Sequence, residues 1–451
     1  MKRITFISVI SLLYSFFSID AAAGSIVEFQ LPSPAVAGVY IEDIITGEVL
    51  VDVNGGRSLL PASITKAITS ASVLAEHKPD YRFATEVFMD GNIANGVLDG
   101  NIVVKVCGDP TLESSHFPEY LGFADSIVVA LKQSGVTEIS GRVLISSEDF
   151  INQPVPSGWV EEDFAWPYGA GHFSTNYKDN KFVLTMPSRK SEPFVPGLTV
   201  KYTPSKGGLK VERKRDSNVY MLRGSVRKGR QEIALSNPNP EETLRHDLES
   251  KITGQGIVVG DKEKTVSGAT RQVLYVHKSP ELGEVLRSLM FRSDNMMAEG
   301  ALRILAKGET REKAIDRELR LWELRNIDTE GVYLEDGSGL SRKDRMTPYF
   351  MADVLGWMAS HYNASDYVSL FPKAGLDGTM KSFLKDSSLE GKIAMKTGSM
   401  RDVQCYAGYK LDEEGFPSHV VVFMINNIKG NRAKIKESIE KLLLDTFACE
   451  E

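Results

Sequence analysis

The feature that most constrains this chain is a change of texture part-way along it. Residues 84–276 hold many short β-like runs, whereas the segments on either side return to helical spacing. Before that stretch, Ala37–Val53 reads as a hairpin, with Gly38–Asp43 and Glu48–Asp52 flanking Ile45-Thr46-Gly47. Pro61 then opens a helical pattern over Ser63–Glu76. Inside the β-like stretch lie Asn101–Val106, Gly141–Ser146, Lys181–Met186 and Leu198–Tyr202. Leu209–Arg213 and Asn218–Arg223 alternate like a second hairpin, and helical patterns occur only at Tyr120–Gln133 and Pro240–Thr253. Beyond 277, Pro280–Met290, Asn295–Lys307, Thr347–Ser360 and Ala433–Phe447 are helical in period. Lys392–Lys396, Gln404–Leu411 and Ser418–Ile425 read as strands. The pattern predicts a discontinuous domain, 24–83 with 277–451, split by a β-rich insertion at 84–276 made of two subdomains. A chain of 451 residues has room for both.

The first residues bear on location. Lys2 and Arg3 precede a mostly apolar run, Ile4–Ile19, followed by Ala21-Ala22-Ala23-Gly24. A basic start, a short apolar stretch and a small-residue cleavage site predict a secretory signal peptide over 1–23. The run falls short of the about 20 apolar residues that span a bilayer as a helix. The mature protein is therefore expected to be exported to the periplasm, or peripheral to the membrane, with no transmembrane segment after the signal is removed. The composition, 42% hydrophobic and 25% charged, excludes a disordered or fibrous chain. Lys plus Arg is 53 against 60 Asp plus Glu, a formal charge of −7, without the basic footprint of a nucleic-acid binder. The 3 Cys, at 107, 405 and 449, supply neither a disulfide framework nor a zinc knuckle.

Three short motifs carry candidate chemistry. Ser63-Ile64-Thr65-Lys66 places an amine one helical turn from a hydroxyl, and a desolvated Lys can serve as the base that activates a Ser nucleophile. The same spacing recurs at Ser225, Ser382 and Ser438, but only Ser63 stands just after a Pro at a helix start. Unpaired N–H groups there favour developing negative charge. Ser293-Asp294-Asn295 lies at the junction of two helical patterns, where a hydroxyl can relay a proton and an amide can hold a carbonyl. An N-cap is the ordinary use of such residues, and a second Ser-x-Asn occurs at Ser174. Lys396-Thr397-Gly398-Ser399 ends a strand-like run, and Gly398 would leave room for substrate backbone along the strand edge.

In order and setting, the three motifs match the Ser-x-x-Lys, Ser-Asp-Asn, Lys-Thr-Gly set of penicillin-recognising enzymes. With them the chain resembles the type-4 low-molecular-mass penicillin-binding proteins, D-alanyl-D-alanine carboxypeptidases and endopeptidases. Cys107-Gly108-Asp109-Pro110-Thr111-Leu112, Asp336-Gly337-Ser338-Gly339-Leu340-Ser341 and Ala374-Gly375-Leu376-Asp377-Gly378-Thr379 are also similar to family signatures. Cys107 stands where the family usually has Gly, and Met400 and Arg401 follow where smaller or apolar residues are common. The more than two hundred residues between Ser63 and Ser293 match that family's large insertion and exceed the spacing of compact serine β-lactamases.

The resemblance implies an α+β fold: a penicillin-recognising serine transpeptidase/β-lactamase-like domain, an antiparallel sheet flanked by helices, with a large β-rich insertion. It also implies roles. Ser63 would be the acylated nucleophile, Lys66 its base, Ser293 the proton relay to the leaving D-alanine, and Asn295 the holder of the acyl-side amide. Lys396, with Thr397 and Ser399, would bind the terminal carboxylate, and its charge would keep Lys66 partly neutral. The N–H groups of Ser63 and Ser399 would form the oxyanion hole. The implied substrates are peptidoglycan stem peptides, with β-lactams as covalent inhibitors and no cofactor or metal. The alternatives are a serine β-lactamase and a non-catalytic penicillin- or peptidoglycan-binding module. The absence of a Gly-x-Ser-x-Gly elbow sets aside an α/β-hydrolase, and the absence of His-Glu-x-x-His sets aside a zinc peptidase.

Overall fold

The computed structural model describes residues 14–20, 26–32, 34–226, 230–265, 271–361 and 364–448. Of the expected signal peptide, residues 1–13 and 21–23 lie outside the described residues. Tyr14–Asp20 is a strand paired antiparallel with Ile26–Pro32. Cys449 is also outside, while Cys107 and Cys405 are free thiols.

By contact the chain divides into two compact units. One comprises Met1–Ala67, Ile327–Tyr333 and Asp344–Glu451; the other comprises Ile68–Asn326 and Leu334–Lys343. The first is built on a five-stranded antiparallel sheet in the order Ile393–Met400, Val403–Leu411, Pro417–Asn426, Val36–Asp43, Val49–Val53. The central strand reads His-Val-Val-Val-Phe-Met-Ile without polar alternation because both of its faces are buried. Val421, Phe423 and Ile425 join the core that Ile435, Ile439 and Leu443 of helix Arg432–Phe447 complete. Val420, Val422 and Met424 point the opposite way, as strand alternation requires, and are equally dry. Helix Pro348–Ala359 buries Phe350, Met351, Val354 and Leu355. The Tyr409 hydroxyl donates to Leu355 O at 2.8 Å, tying this helix to the sheet.

The second unit contains the β-rich stretch with two apolar cores. In the first, helices Phe123–Gln133 and Pro240–Gly254 set Ile127, Leu131, Leu244, Leu248 and Ile252 against Val87, Leu98, Ile102 and Val104. The last four belong to strands Ala84–Ala94 and Val97–Lys105 of a six-stranded mixed sheet. In the second, Phe182, Leu184, Tyr220, Leu222 and Leu235 come from two three-stranded sheets. The expected hairpin about Asp216-Ser217 is present as Lys210–Glu212 paired with Val219–Gly224.

The line between the units differs from the one read in sequence texture. Helices Leu282–Arg292, Asn295–Ile304 and Arg311–Glu323 fall with the β-rich residues. Asn295–Ile304 is buried at every position. At Gly300 a Cβ would lie 3.0 Å from Pro110 and 3.1 Å from His172, so this helix is pressed directly onto residues of the β-rich stretch. Gly300 is what permits that approach.

Candidate active site

Ser63 sits on a strained turn. Ala62 adopts φ +49°, left-handed for a residue with a Cβ, and Ala62–Ile64 forms a 3-10 turn that leads into helix Thr65–Glu76. Such a conformation costs about 1–2 kcal/mol and persists only where packing over-determines it. Ala62 and Ile64 are fully buried. Two residues before Ala62 the chain is clamped: Leu60 N donates to Asn426 Oδ1 at 2.8 Å, and Asn426 Nδ2 donates back to Leu60 O at 3.0 Å. The turn is thus fastened to the end of the central strand, with Ser63 partly exposed at its apex.

Lys66 is fully buried, and its Nζ donates to Ser63 Oγ at 3.1 Å. One helical turn delivers the amine to the hydroxyl, as the Ser-x-x-Lys spacing requires. Lys396 is fully buried as well and donates to Thr397 O at 2.7 Å. Burial, and then the nearby charge of Lys66, hold the Lys396 amine well below the usual lysine range. A positive charge beside a desolvated amine disfavours that amine's proton.

The Lys-Thr-Gly-Ser segment is not the end of a strand, because Ile393–Met400 runs through it. Strand alternation therefore sorts its side chains onto two faces. Lys396 and Gly398 are buried, Thr397 is half-buried, and Ser399 is exposed. Thr397 Oγ1 donates to Thr379 Oγ1 at 2.9 Å. A Cβ on Gly398 would meet Pro61 O at 2.9 Å and the amide nitrogens of Ser63 and Ile64 at 3.0 Å. The glycine thus makes room for the Ser63 turn.

Ser293 and Asn295 belong to the second unit. Ser293 closes helix Leu282–Arg292 in the left-handed region, φ 59° and ψ 41°. Asp294 is the N-cap of the next helix, its side chain accepting from Met297 N at 2.8 Å. The capping use anticipated for this motif thus falls to its middle residue, between the two candidate groups. Asn295 is 7% exposed, and its Nδ2 donates to Tyr168 O at 2.8 Å, which fixes the amide plane.

Comparison with known proteins adds the decisive observation: the sequence model of the D-Ala-D-Ala carboxypeptidase 3 (S13) family matches residues 27–445. The chain belongs to that family. Membership carries the enzyme class with it, a serine-type D-Ala-D-Ala carboxypeptidase. A D-alanyl-D-alanine carboxypeptidase DacB of Haemophilus influenzae is 26% identical over 86% of this chain and 84% of its own length. A D-alanyl-D-alanine carboxypeptidase of an Actinomadura strain is 26% identical over 84% of this chain and 76% of its own. Among solved structures, penicillin-binding protein 4 from Haemophilus influenzae superposes with a TM-score of 0.80 at 23% identity, covering 92% of this chain and 97% of that one. The penicillin-recognising α+β fold with its β-rich insertion, expected from the motifs, is the fold observed.

Two of the other segments that resemble family signatures act as fasteners. Asp336 is fully buried and accepts from Ser338 N, Gly339 N, Ser341 N and, at 2.6 Å, Trp159 Nε1. Asp109 accepts from both N and Oγ1 of Thr111, at 2.7 and 2.6 Å. The second Ser-x-Asn is structural too: Asn176 Nδ2 donates to Gly108 O, Asp109 O and Phe173 O. Ser382 and Lys385, a chance copy of the first motif, are both exposed. Sequence reading missed Asn426, which stands in no motif, and the pairing of Thr379, the last residue of the Ala374–Thr379 segment, with Thr397.

Proposed function

We propose that this chain hydrolyses the D-Ala-D-Ala bond of peptidoglycan stem peptides, and cross-linked stems as an endopeptidase, through an acyl-enzyme on Ser63. The observation that carries the reading is Lys66 Nζ at 3.1 Å from Ser63 Oγ, with a second buried amine, Lys396, held well below the usual lysine range by burial and by the charge of Lys66. In this scheme unprotonated Lys66 takes the Ser63 proton as Oγ attacks the carbonyl of the penultimate D-alanine. The N–H groups of Ser63 and Ser399 receive the oxyanion, a role supported by the close approach of the Gly398 backbone to the Ser63 turn. Ser293 passes the proton to the departing D-alanine amine, and Asn295 holds the acyl-side amide. The Thr397 and Ser399 hydroxyls contact the terminal carboxylate, while Lys396 attracts it from behind the strand. Water then releases the acyl group by the reverse proton path.

A β-lactam would acylate Ser63 in the same way, but its leaving amine stays tethered, so the adduct persists. A solved Haemophilus influenzae penicillin-binding protein 4 complexed with a β-lactam, 24% identical to this chain, has the same fold with a TM-score of 0.75. The place of action we propose is the periplasm, after export by the residue 1–23 signal. Among the described residues no helix is long and apolar enough to cross a membrane.

Intact-mass measurement over time after addition of benzylpenicillin tests the scheme. A lasting adduct on the wild type and none on Ser63→Ala is expected, with D-alanine released from a D-Ala-D-Ala pentapeptide. Rapid loss of the adduct would make the chain a β-lactamase, and no adduct would make it a binding module.

A further inference from the structure

Inside the second unit lies a cavity of about 400 Å³ whose lining includes none of the candidate catalytic or substrate-binding residues. Its size lies within the about 300–1,000 Å³ usual for small-molecule sites. Part of its wall is aromatic: Tyr81, Phe83 and Phe150 line it, and the ring centroids of Tyr81 and Phe83 are 5.6 Å apart. His77 continues that ladder 5.4 Å from Tyr81, and burial holds its imidazole below its ordinary value, so it adds an uncharged ring. Three cations also line the cavity: Arg303, Lys105 and Lys307.

Arg303 is the unusual one. It is 1% exposed, its guanidinium carbon lies 4.3 Å from the Phe150 ring centroid, and Nη2 donates to Ile151 O and Gly308 O. Its Nε and Nη1 find no hydrogen-bond partner among the described residues. Two carboxylates act on it at a distance: Glu299 is taken by Arg311 at 2.8 Å, and Glu312 makes no ion pair with Arg303 among the described residues. Burial, and then repulsion from Arg311, bring the Arg303 guanidinium down to about 10, which still leaves it charged at neutral pH. A buried cation without its own anion is an unfavourable arrangement unless something supplies the missing charge. At the rim, Asp149 draws Lys105 to 2.6 Å and Glu86 stands nearby, while Lys307 makes no ion pair among the described residues.

The geometry points to a second binding site in this cavity, for a small carboxylate on a flat apolar body. The body would lie against the Tyr81, Phe83 and Phe150 rings, and the carboxylate would face Lys307 in the field of Arg303. The cavity touches His77, just past the end of helix Thr65–Glu76, and Arg303 and Ile304, at the end of helix Asn295–Ile304. An occupant would therefore brace the far ends of both helices whose starts carry candidate groups.

Ligand-detected NMR titration with benzoate as the probe tests the site, using full-length protein first acylated with benzylpenicillin so that the serine site is filled. Failure of that acylation would count against the proposed function alone, and the titration would then be run on Ser63→Ala. Saturable benzoate binding is expected, with benzamidine, the cationic analogue of similar shape, at least tenfold weaker. Lys105→Glu combined with Lys307→Glu, a change at one half-buried and one exposed position, should cost benzoate tenfold or more and reverse the preference. Cys107→Phe, which would fill the cavity, should abolish binding. No binding of benzoate, equal binding of benzamidine, or an affinity indifferent to the charge reversal would each overturn the proposal.

Discussion

Replacing Gly398 by Ala isolates the contact between the Lys-Thr-Gly strand and the nucleophile turn. The new methyl would stand 2.9 Å from Pro61 O and 3.0 Å from the nitrogens of Ser63 and Ile64, against 3.4–4 Å for ordinary contact. All three neighbours are backbone atoms, so no side chain can swing aside, and strand and turn must separate by about half an ångström. Overpacking of this kind costs about 1–3 kcal/mol in stability. Catalysis should suffer more, because a misplacement approaching 1 Å costs about 10²-fold in rate. We expect acylation by a fluorescent penicillin to slow by about 10- to 100-fold, while the melting temperature falls by about 2–10 °C. The control is Gly356→Ala, in the middle of helix Pro348–Ala359, where a Cβ meets nothing within 4 Å. Its acylation should match the wild type. If Gly398→Ala also acylates at the wild-type rate, the strand is not pressed against the Ser63 turn and the proposed oxyanion hole loses its support.

Two buried carboxylates and one buried amine give further expectations. Glu318 is fully buried, and neither carboxyl oxygen makes a well-formed hydrogen bond, with Ser72 nearby giving only partial relief; burial pushes its pKa up to about 8. Because the folded value lies above the unfolded one near 4.5, its stabilising contribution is complete below about pH 4.5 and is lost as pH rises through about 8. Glu318→Gln should therefore gain stability over the wild type between pH 5 and pH 9, by up to about 5 kcal/mol, and parallel denaturation curves at the two pH values would refute this. Asp336→Ala strands three backbone N–H groups and the Trp159 indole, so urea unfolding should show a loss of about 3–5 kcal/mol. A loss under 1 kcal/mol would mean that water replaces the carboxylate. Lys396, held below the usual lysine range, makes the wild type gain stability as pH rises toward that of a free lysine. Lys396→Met should flatten this alkaline rise in a thermal-melt series, and an unchanged slope would contradict it.

Much of this was legible in the residues because the strongest signals are local. The Ser63 turn and helix, the hairpin Val36–Asp43 with Val49–Val53, and the strands Val403–Leu411 and Pro417–Asn426 all follow from spacing within a dozen residues. Helix Arg311–Glu323 was not legible: it buries Arg311 and Glu318 on its inner face, where periodicity looks for apolar residues. The contact of Gly398 with the Ser63 turn is not legible in sequence, because the two lie more than three hundred residues apart. The same distance hid the Asn426 clamp on Leu60. The two faces of Lys396-Thr397-Gly398-Ser399 could have been anticipated, since alternation needs only the knowledge that the strand continues to Met400.

The sheet order has a consequence for how the molecule is made. Strand Val36–Asp43 pairs on one side with its neighbour Val49–Val53 and on the other with Pro417–Asn426, in register from His419↔Asp43 to Asn426↔Val36. A ribosome delivers the first partner at once and the second only when nearly the whole chain has emerged. Until then the N-terminal hairpin has one open edge and no core on which to lie, the condition that invites pairing with another chain. Loop closure over such a span is slow. The Ser63 turn, clamped to Asn426 through Leu60, is among the last parts to acquire its shape.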